Sequence, residues 1–328
     1  MGRRLRSLPG QLVIMMVALT TLIAGCAVGG GTEPSSLRFV VPTPPGGGFD
    51  QTARLTAIGL EQEKLAEQAS VINIPGDGGL AAIHRVRLAE GDASMLLQAG
   101  LATISNIVVA GQEDLLEKLT PIAQLVEEPG AILVRRDSDY QTIDELAGAL
   151  RDNPEALDIG GGSQPGGPDY LAAMLFLDAI GMDTAHVKYR AYEGGGDMLG
   201  ALVSGEVDVA FTGVAEHLYE IRAGEVHILA VTGAERLPGL DASTLREHGY
   251  DVEFHNWRGL MAPRISETQR AALVDMFSAL NGADYWNALV SETMWTGDFI
   301  AGAEFEERIA AEIVRIQELL ARFPVTVE

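Results

Sequence analysis

Cysteine is nearly absent from this chain: its 328 residues hold one, Cys26. An intramolecular disulfide and a cysteine-ligated zinc site each need more than one, so neither is available. Positive charge is scarce too. There are 23 Lys and Arg against 46 Asp and Glu, a formal net charge of −23. Binding to nucleic acid rests on a basic face, so this balance argues against such a partner. The usual signatures of catalysis and cofactor binding are missing as well. The nearest approach to a Gly-x-Ser-x-Gly elbow, Gly161-Gly162-Ser163-Gln164-Pro165, ends in Pro. No Gly-Lys pair occurs, which removes the Walker phosphate loop, and no glycine run fits G-x-G-x-x-G. The six His show no metal-ligand spacing. No metal, cofactor or catalytic set is expected.

What the chain does have begins at its start. Arg3, Arg4 and Arg6 are followed by an uncharged stretch from Ser7 to Thr32, with an apolar run from Leu12 to Ile23. This is the pattern of a secretory signal peptide. The run ends in Leu22-Ile23-Ala24-Gly25-Cys26, which resembles the lipobox of bacterial lipoproteins. On this reading residues 1–25 are removed and Cys26 is lipidated. Residues 26–36 then form a flexible tether, glycine-rich from Gly29. Two other readings of the same residues stay open. One is an uncleaved anchor, because about 20 apolar residues span a bilayer. The other is an ordinary cleaved signal with an incidental Cys. All three place the protein outside the cytoplasm.

From Leu37 onward, short apolar runs alternate with longer amphipathic segments, the α/β signature. Leu37–Pro42, Val71–Ile74, Ser94–Gln98, Ala131–Val134 and Leu157–Ile159 read as strands, as do Val187–Tyr189, Val207–Phe211, His227–Val231 and Gly259–Ala262. Thr142-Ile143-Asp144-Glu145 and Ser266-Glu267-Thr268-Gln269 are capping boxes that open helices. Asp50 reads as the N-cap of the first helix. Ile309, Ile313, Ile316 and Leu320 make a buried helical stripe. The length suggests about two domains.

The 38 glycines are not spread evenly. Gly46-Gly47-Gly48, Gly76 with Gly78-Gly79, and Gly160 to Gly167 each lie between a strand and a helix start, and Gly194-Gly195-Gly196 also precedes a helix. Glycine lets backbone approach a ligand closely. A helix start offers unpaired N–H groups and partial positive charge. Together they predict an anion site that needs no Lys or Arg. Gly47, the middle of the first run, is expected at positive φ, so that Gly47→Val would abolish carboxylate binding.

Pro42-Thr43-Pro44-Pro45-Gly46-Gly47-Gly48-Phe49-Asp50-Gln51-Thr52-Ala53-Arg54 resembles the first-loop motif of the tripartite tricarboxylate transporter substrate-binding proteins. Asn73 to Gly79 resembles their second loop and Gly161 to Gly167 their third. Asn256-Trp257-Arg258-Gly259-Leu260-Met261-Ala262-Pro263 looks like the tricarboxylate-binding branch. Two places depart. Thr43 stands where many members have an aromatic or small apolar residue, and Pro168-Asp169-Tyr170 replaces Thr-Asp-His.

The resemblance implies an α/β, two-lobed periplasmic-binding-protein fold of type II, with the ligand in a cleft between lobes. Lobe one would be 37–132 plus 255–328, and lobe two 133–254. Gly46, Gly47, Gly48 and Gly78 would hold a carboxylate from lobe one, and Gly162, Ser163 and Gly167 from lobe two, joined by Gly195, Gly196 and Thr212. Trp257 and Arg258 either touch the ligand or pack at the lobe crossover. The implied protein is a monomeric, lipid-anchored solute receptor, with citrate or another tricarboxylate favoured. It hands its ligand to a membrane permease of one large and one small subunit. A carboxylate-acting enzyme and a carboxylate-sensing co-receptor are the alternatives.

Overall fold

The computed structural model describes residues 34–325 except 154, 156, 185 and 186. The signal-peptide reading and Cys26 lie outside them. Along the chain come β1 (Ser36–Val41), α1 (Gly48–Gln62), β2 (Gln68–Asn73), α2 (Leu80–Arg87), β3 (Met95–Gly100), α3 (Leu101–Val109) and the long strand β4 (Leu119–Arg135). Next come α4 (Ile143–Asp152), β5 (Ile159–Gly161), α5 (Pro168–Ala179), β6 (Tyr189–Ala191), α6 (Gly195–Ser204), β7 (Val209–Gly213), α7 (Leu218–Ala223) and β8 (Val226–Val231). The chain ends with β9 (His255–Pro263), α8 (Glu267–Asn281), α9 (Asp284–Glu292), β10 (Ile300–Ala301) and α10 (Ala303–Arg322). β1 thus begins one residue inside the stretch read as tether.

The strands hydrogen-bond in the order β2-β1-β3-β9-β4-β7-β5-β6, with β8 and β10 also on β4. β1 runs parallel to β2 and β3, and β5 parallel to β6 and β7. The fold is therefore two parallel βα units joined through β4. That strand changes partners part-way. Leu119 to Pro129 pair with β9, whereas Gly130 to Val134 pair with β7. The joint is clasped by Thr232. Its hydroxyl donates to the Phe254 carbonyl at 2.6 Å and accepts the Gly130 N–H at 2.7 Å. Its backbone N–H reaches the Gly130 carbonyl at 2.9 Å.

Local chemistry explains the elements. Both capping boxes form, Thr142 with Glu145 and Ser266 with Gln269. In β1 the alternate residues Leu37, Phe39 and Val41 are buried with Ala53, Ala57 and Leu60 of α1 in one core. In α10, Phe305, Ile309 and Ile316 are buried, and Ile313 and Leu320 pack against the same core. Phe305 meets Trp257 edge-to-face at 5.6 Å, so Trp257 packs at the crossover. Arg322, at the end of α10, pairs with Asp178 of α5. Among the described residues no helix is long and apolar enough to cross a membrane.

Candidate functional site

In a parallel sheet the loops at the carboxyl ends of strands are where ligands gather. Here those loops face one another across the cleft. A cavity of about 140 Å³ is lined from the first lobe by Thr43, Phe49, Gly78 and Asn106, and from the second by Gly162, Ser163 and Tyr192. A pocket of about 70 Å³ shares part of that wall and adds Gly47, Gly48, Asp169, Gly195, Glu216 and Arg258. Six of the glycine and serine positions expected from the sequence therefore come together: Gly47, Gly48, Gly78, Gly162, Ser163 and Gly195.

Gly46, Gly167, Gly196 and Thr212 are not on these walls. Thr212 is buried in β7, opposite Ala131 of β4. Gly46 gives its N–H to Asp50 Oδ2 at 2.9 Å, and Gly167 gives its own to the Gln164 carbonyl at 2.8 Å. These two donors are already engaged. Asp50 is also not the cap expected of it. The N-cap is Gly47, and Asp50 sits in the first turn. Burial alone would raise the Asp50 carboxyl. Hydrogen bonds from Arg54, Asn73 and Gly46 outweigh that and hold it below the usual range. Gly47 itself is extended, at φ −81°, so the positive φ expected there is absent. The left-handed residue of the run is Gly46, at φ +99°.

The third loop is braced from within. The Gly162 N–H donates to Asp169 Oδ2 at 2.8 Å, and the Asp169 N–H to Ser163 Oγ at 3.0 Å. The Tyr189 hydroxyl donates to the Ser163 carbonyl at 2.9 Å.

The smaller pocket holds a charge cluster of which the sequence motifs included Arg258 and Asp169 but neither Glu128 nor Glu216. Arg258, only 2% exposed, pairs with the fully buried Glu128 and lies 3.2 Å from Glu216 Oε1. The Glu216 carboxylate also faces the backbone of Gly48 and Gly195, whose N–H groups oppose the effect of burial on it. One buried guanidinium thus serves two carboxylates, with Asp169 close by. Burial pushes Glu128 and Glu216 above the usual carboxyl range, against the opposing pull of Arg258. Burial, and next the nearby Glu216 charge, raise Asp169 well above its ordinary value. Burial lowers the neighbouring His217, which keeps it neutral. Among the described residues, Arg258 Nη1 has no hydrogen-bond partner.

Asp169 should therefore leave a mark on stability against pH. The unfolded chain loses this proton near pH 4, while the folded chain keeps it to higher pH. Between those limits the folded state binds more protons, so this contribution to stability falls as pH rises. Asp169→Asn preserves an acceptor for the Gly162 N–H but cannot ionise. Urea midpoints measured from about pH 5 to about pH 8 should shift in favour of the variant as pH rises. Parallel curves for the two proteins would show that Asp169 titrates normally.

Two lobes, each presenting glycine-bounded helix starts to a shared cleft, define a two-lobed solute-binding protein. The chain belongs to the TctC family, the tripartite tricarboxylate transporter family receptors, whose pattern matches residues 52–298. It is accordingly a receptor and not an enzyme. A UPF0065 protein of Bordetella pertussis is 30% identical over 247 residues, 74% of each chain. MatC from Rhodopseudomonas palustris with bound malate superposes with a TM-score of 0.75 at 25% identity, covering 87% of this chain and 98% of its own. A second Rhodopseudomonas palustris structure, with adipate, gives a TM-score of 0.80 at 23% identity, covering 87% and 96%.

Proposed function

We propose that this protein captures an organic carboxylate outside the cytoplasm and delivers it to a tripartite tricarboxylate permease. The observation that carries the reading is the meeting of the α1, α5 and α6 starts, from both lobes, around the smaller pocket. Helix N-termini hold carboxylates through backbone N–H groups, and a cleft between lobes lets a ligand bridge them. Lobe one is 37–132 plus 255–328 and lobe two 133–254, a division supported by the change of partners along β4. Family membership supports the permease of large and small subunits as the partner. The Cys26 pattern supports a lipid anchor on the outer face of the membrane or in the periplasm. The Asn256 to Pro263 motif sets citrate among the candidate ligands. The malate and adipate of the two structural neighbours add dicarboxylates.

A thermal-shift panel of mono-, di- and tricarboxylates tests this. A ligand at about 100 times its Kd should stabilise the protein by about 2.7 kcal/mol. A panel in which no carboxylate raises the melting temperature would remove the reading.

A further inference from the structure

Two helix starts placed for a ligand carboxylate already have one of the protein's own beside them. Glu216 stands in the turn Ala215–His217, just after β7. Its carboxylate lies against Gly48, the first residue of α1, and Gly195, the first residue of α6. A Cβ on Gly48 would run into Glu216 Oε1, and one on Gly195 into Oε2. Glu216, with Arg258 beside Gly48 and His217 beside Gly195, occupies the space a side chain would need at either position. Its two oxygens thus stand between a helix start of the first lobe and one of the second, the place expected of a bound ligand.

The rest of the wall leans acidic. Asp77 and Glu193 line the larger cavity, and Asp169 and Glu216 the smaller pocket. Against these stands Arg258, whose Nη2 is already shared between Glu128 and Glu216. Its Nη1 is buried and has no hydrogen-bond partner among the described residues, and Arg258 is one cation set against several acids on the pocket walls. Each further negative charge on a ligand would meet these acidic side chains at short range.

We propose that Glu216 is a specificity-determining residue, an internal carboxylate that fills one anion position of the cleft. The ligand is then a mono- or dicarboxylate whose remaining body faces Thr43, Phe49, Asn106 and Ser163. A tricarboxylate carries one carboxylate too many. This rests on the carboxylate-receptor reading and narrows its substrate class.

The test uses Glu216→Ser, which vacates the position while leaving both helix starts and Arg258 in place. Citrate, malate and adipate are titrated calorimetrically into wild type and variant. The citrate-to-dicarboxylate affinity ratio is expected to rise about tenfold or more in the variant. Formate, small enough to take the vacated place, should raise the melting temperature of the variant and leave wild type unchanged. An unchanged ratio together with no formate effect overturns the proposal. So does a wild type that already prefers citrate over both dicarboxylates. If Glu216→Ser does not fold, the isosteric Glu216→Gln is titrated instead. It removes the negative charge, so the ratio should shift in the same direction, and an unchanged ratio again overturns the proposal. Failure of wild type to bind any carboxylate is a different result, and it counts against the receptor reading itself.

Discussion

Arg258→Met should lower the stability of this protein by about 3–5 kcal/mol, the usual cost of removing one partner from a buried charge cluster. Methionine fills much of the arginine volume, so the loss is mainly electrostatic. Glu128 is fully buried and Glu216 only 13% exposed, and neither would keep a cation. Both carboxyls already sit above their usual range with Arg258 present. Without it they would hold protons to still higher pH. The deficit should therefore be smallest in acid and grow as pH rises. Adding Glu128→Gln to Arg258→Met should recover part of the loss, since it removes one orphaned charge. Urea denaturation of the single and double variants at two pH values measures both effects. A loss below about 1 kcal/mol at neutral pH would mean that the cluster holds its charges by other means.

The second large effect belongs to Gly48. A Cβ there would collide with Arg258 Nη2 and Glu216 Oε1 and come within 2.7 Å of Arg258 Cζ. Side-chain ends often yield to such a clash, but these two are little exposed and held against each other. Gly48→Ala should cost about 1–3 kcal/mol by overpacking and break the contact between α1 and Glu216, abolishing measurable ligand binding. Gly47→Ala should behave differently. At Gly47 φ is −81° and a Cβ meets nothing within 4 Å. Alanine is only a poorer N-cap, at a cost of about 1 kcal/mol or less. Calorimetric titration with the carboxylate chosen by the panel separates the two variants, with urea denaturation as the control. The sensitive glycine is thus one residue beyond the middle of the run. Equal binding by both variants would place the ligand away from the start of α1.

The glycine runs and capping boxes were legible because their physics is local. A helix start or a tight turn is decided by residues three or four apart, as at Thr142 and Glu145. The first half of β4 was not legible. Leu119 to Gly130 contains Pro121, Pro129, Glu127 and Glu128, residues depleted in strands, and the sequence reading places no element there. The strand forms because β9 supplies a partner from far along the chain, with irregularities at Pro121 to Ala123 and Gln124 to Val126. Glu128 can lie inside it because Arg258 comes from that same partner. Glu216 left no local trace either. Its role arises only when β7 delivers it beside Gly48 and Gly195. Asp50 was legible as a residue of the helix start, but not the position it would take there. Three consecutive glycines let the cap fall at Gly47 and leave Asp50 inside the first turn.

The clasp at Gly130, Thr232 and Phe254 bears on how the lobes move. The chain segments that meet there are hydrogen-bonded to one another, and β4 runs through the joint without a break. Such a joint has no slack. One lobe cannot swing without twisting strands that belong to both, so the strain spreads across the width of the joint. Closure is therefore expected to load the connection in torsion along β4 and not to turn it about a point. Capture and release then amount to winding and unwinding that connection.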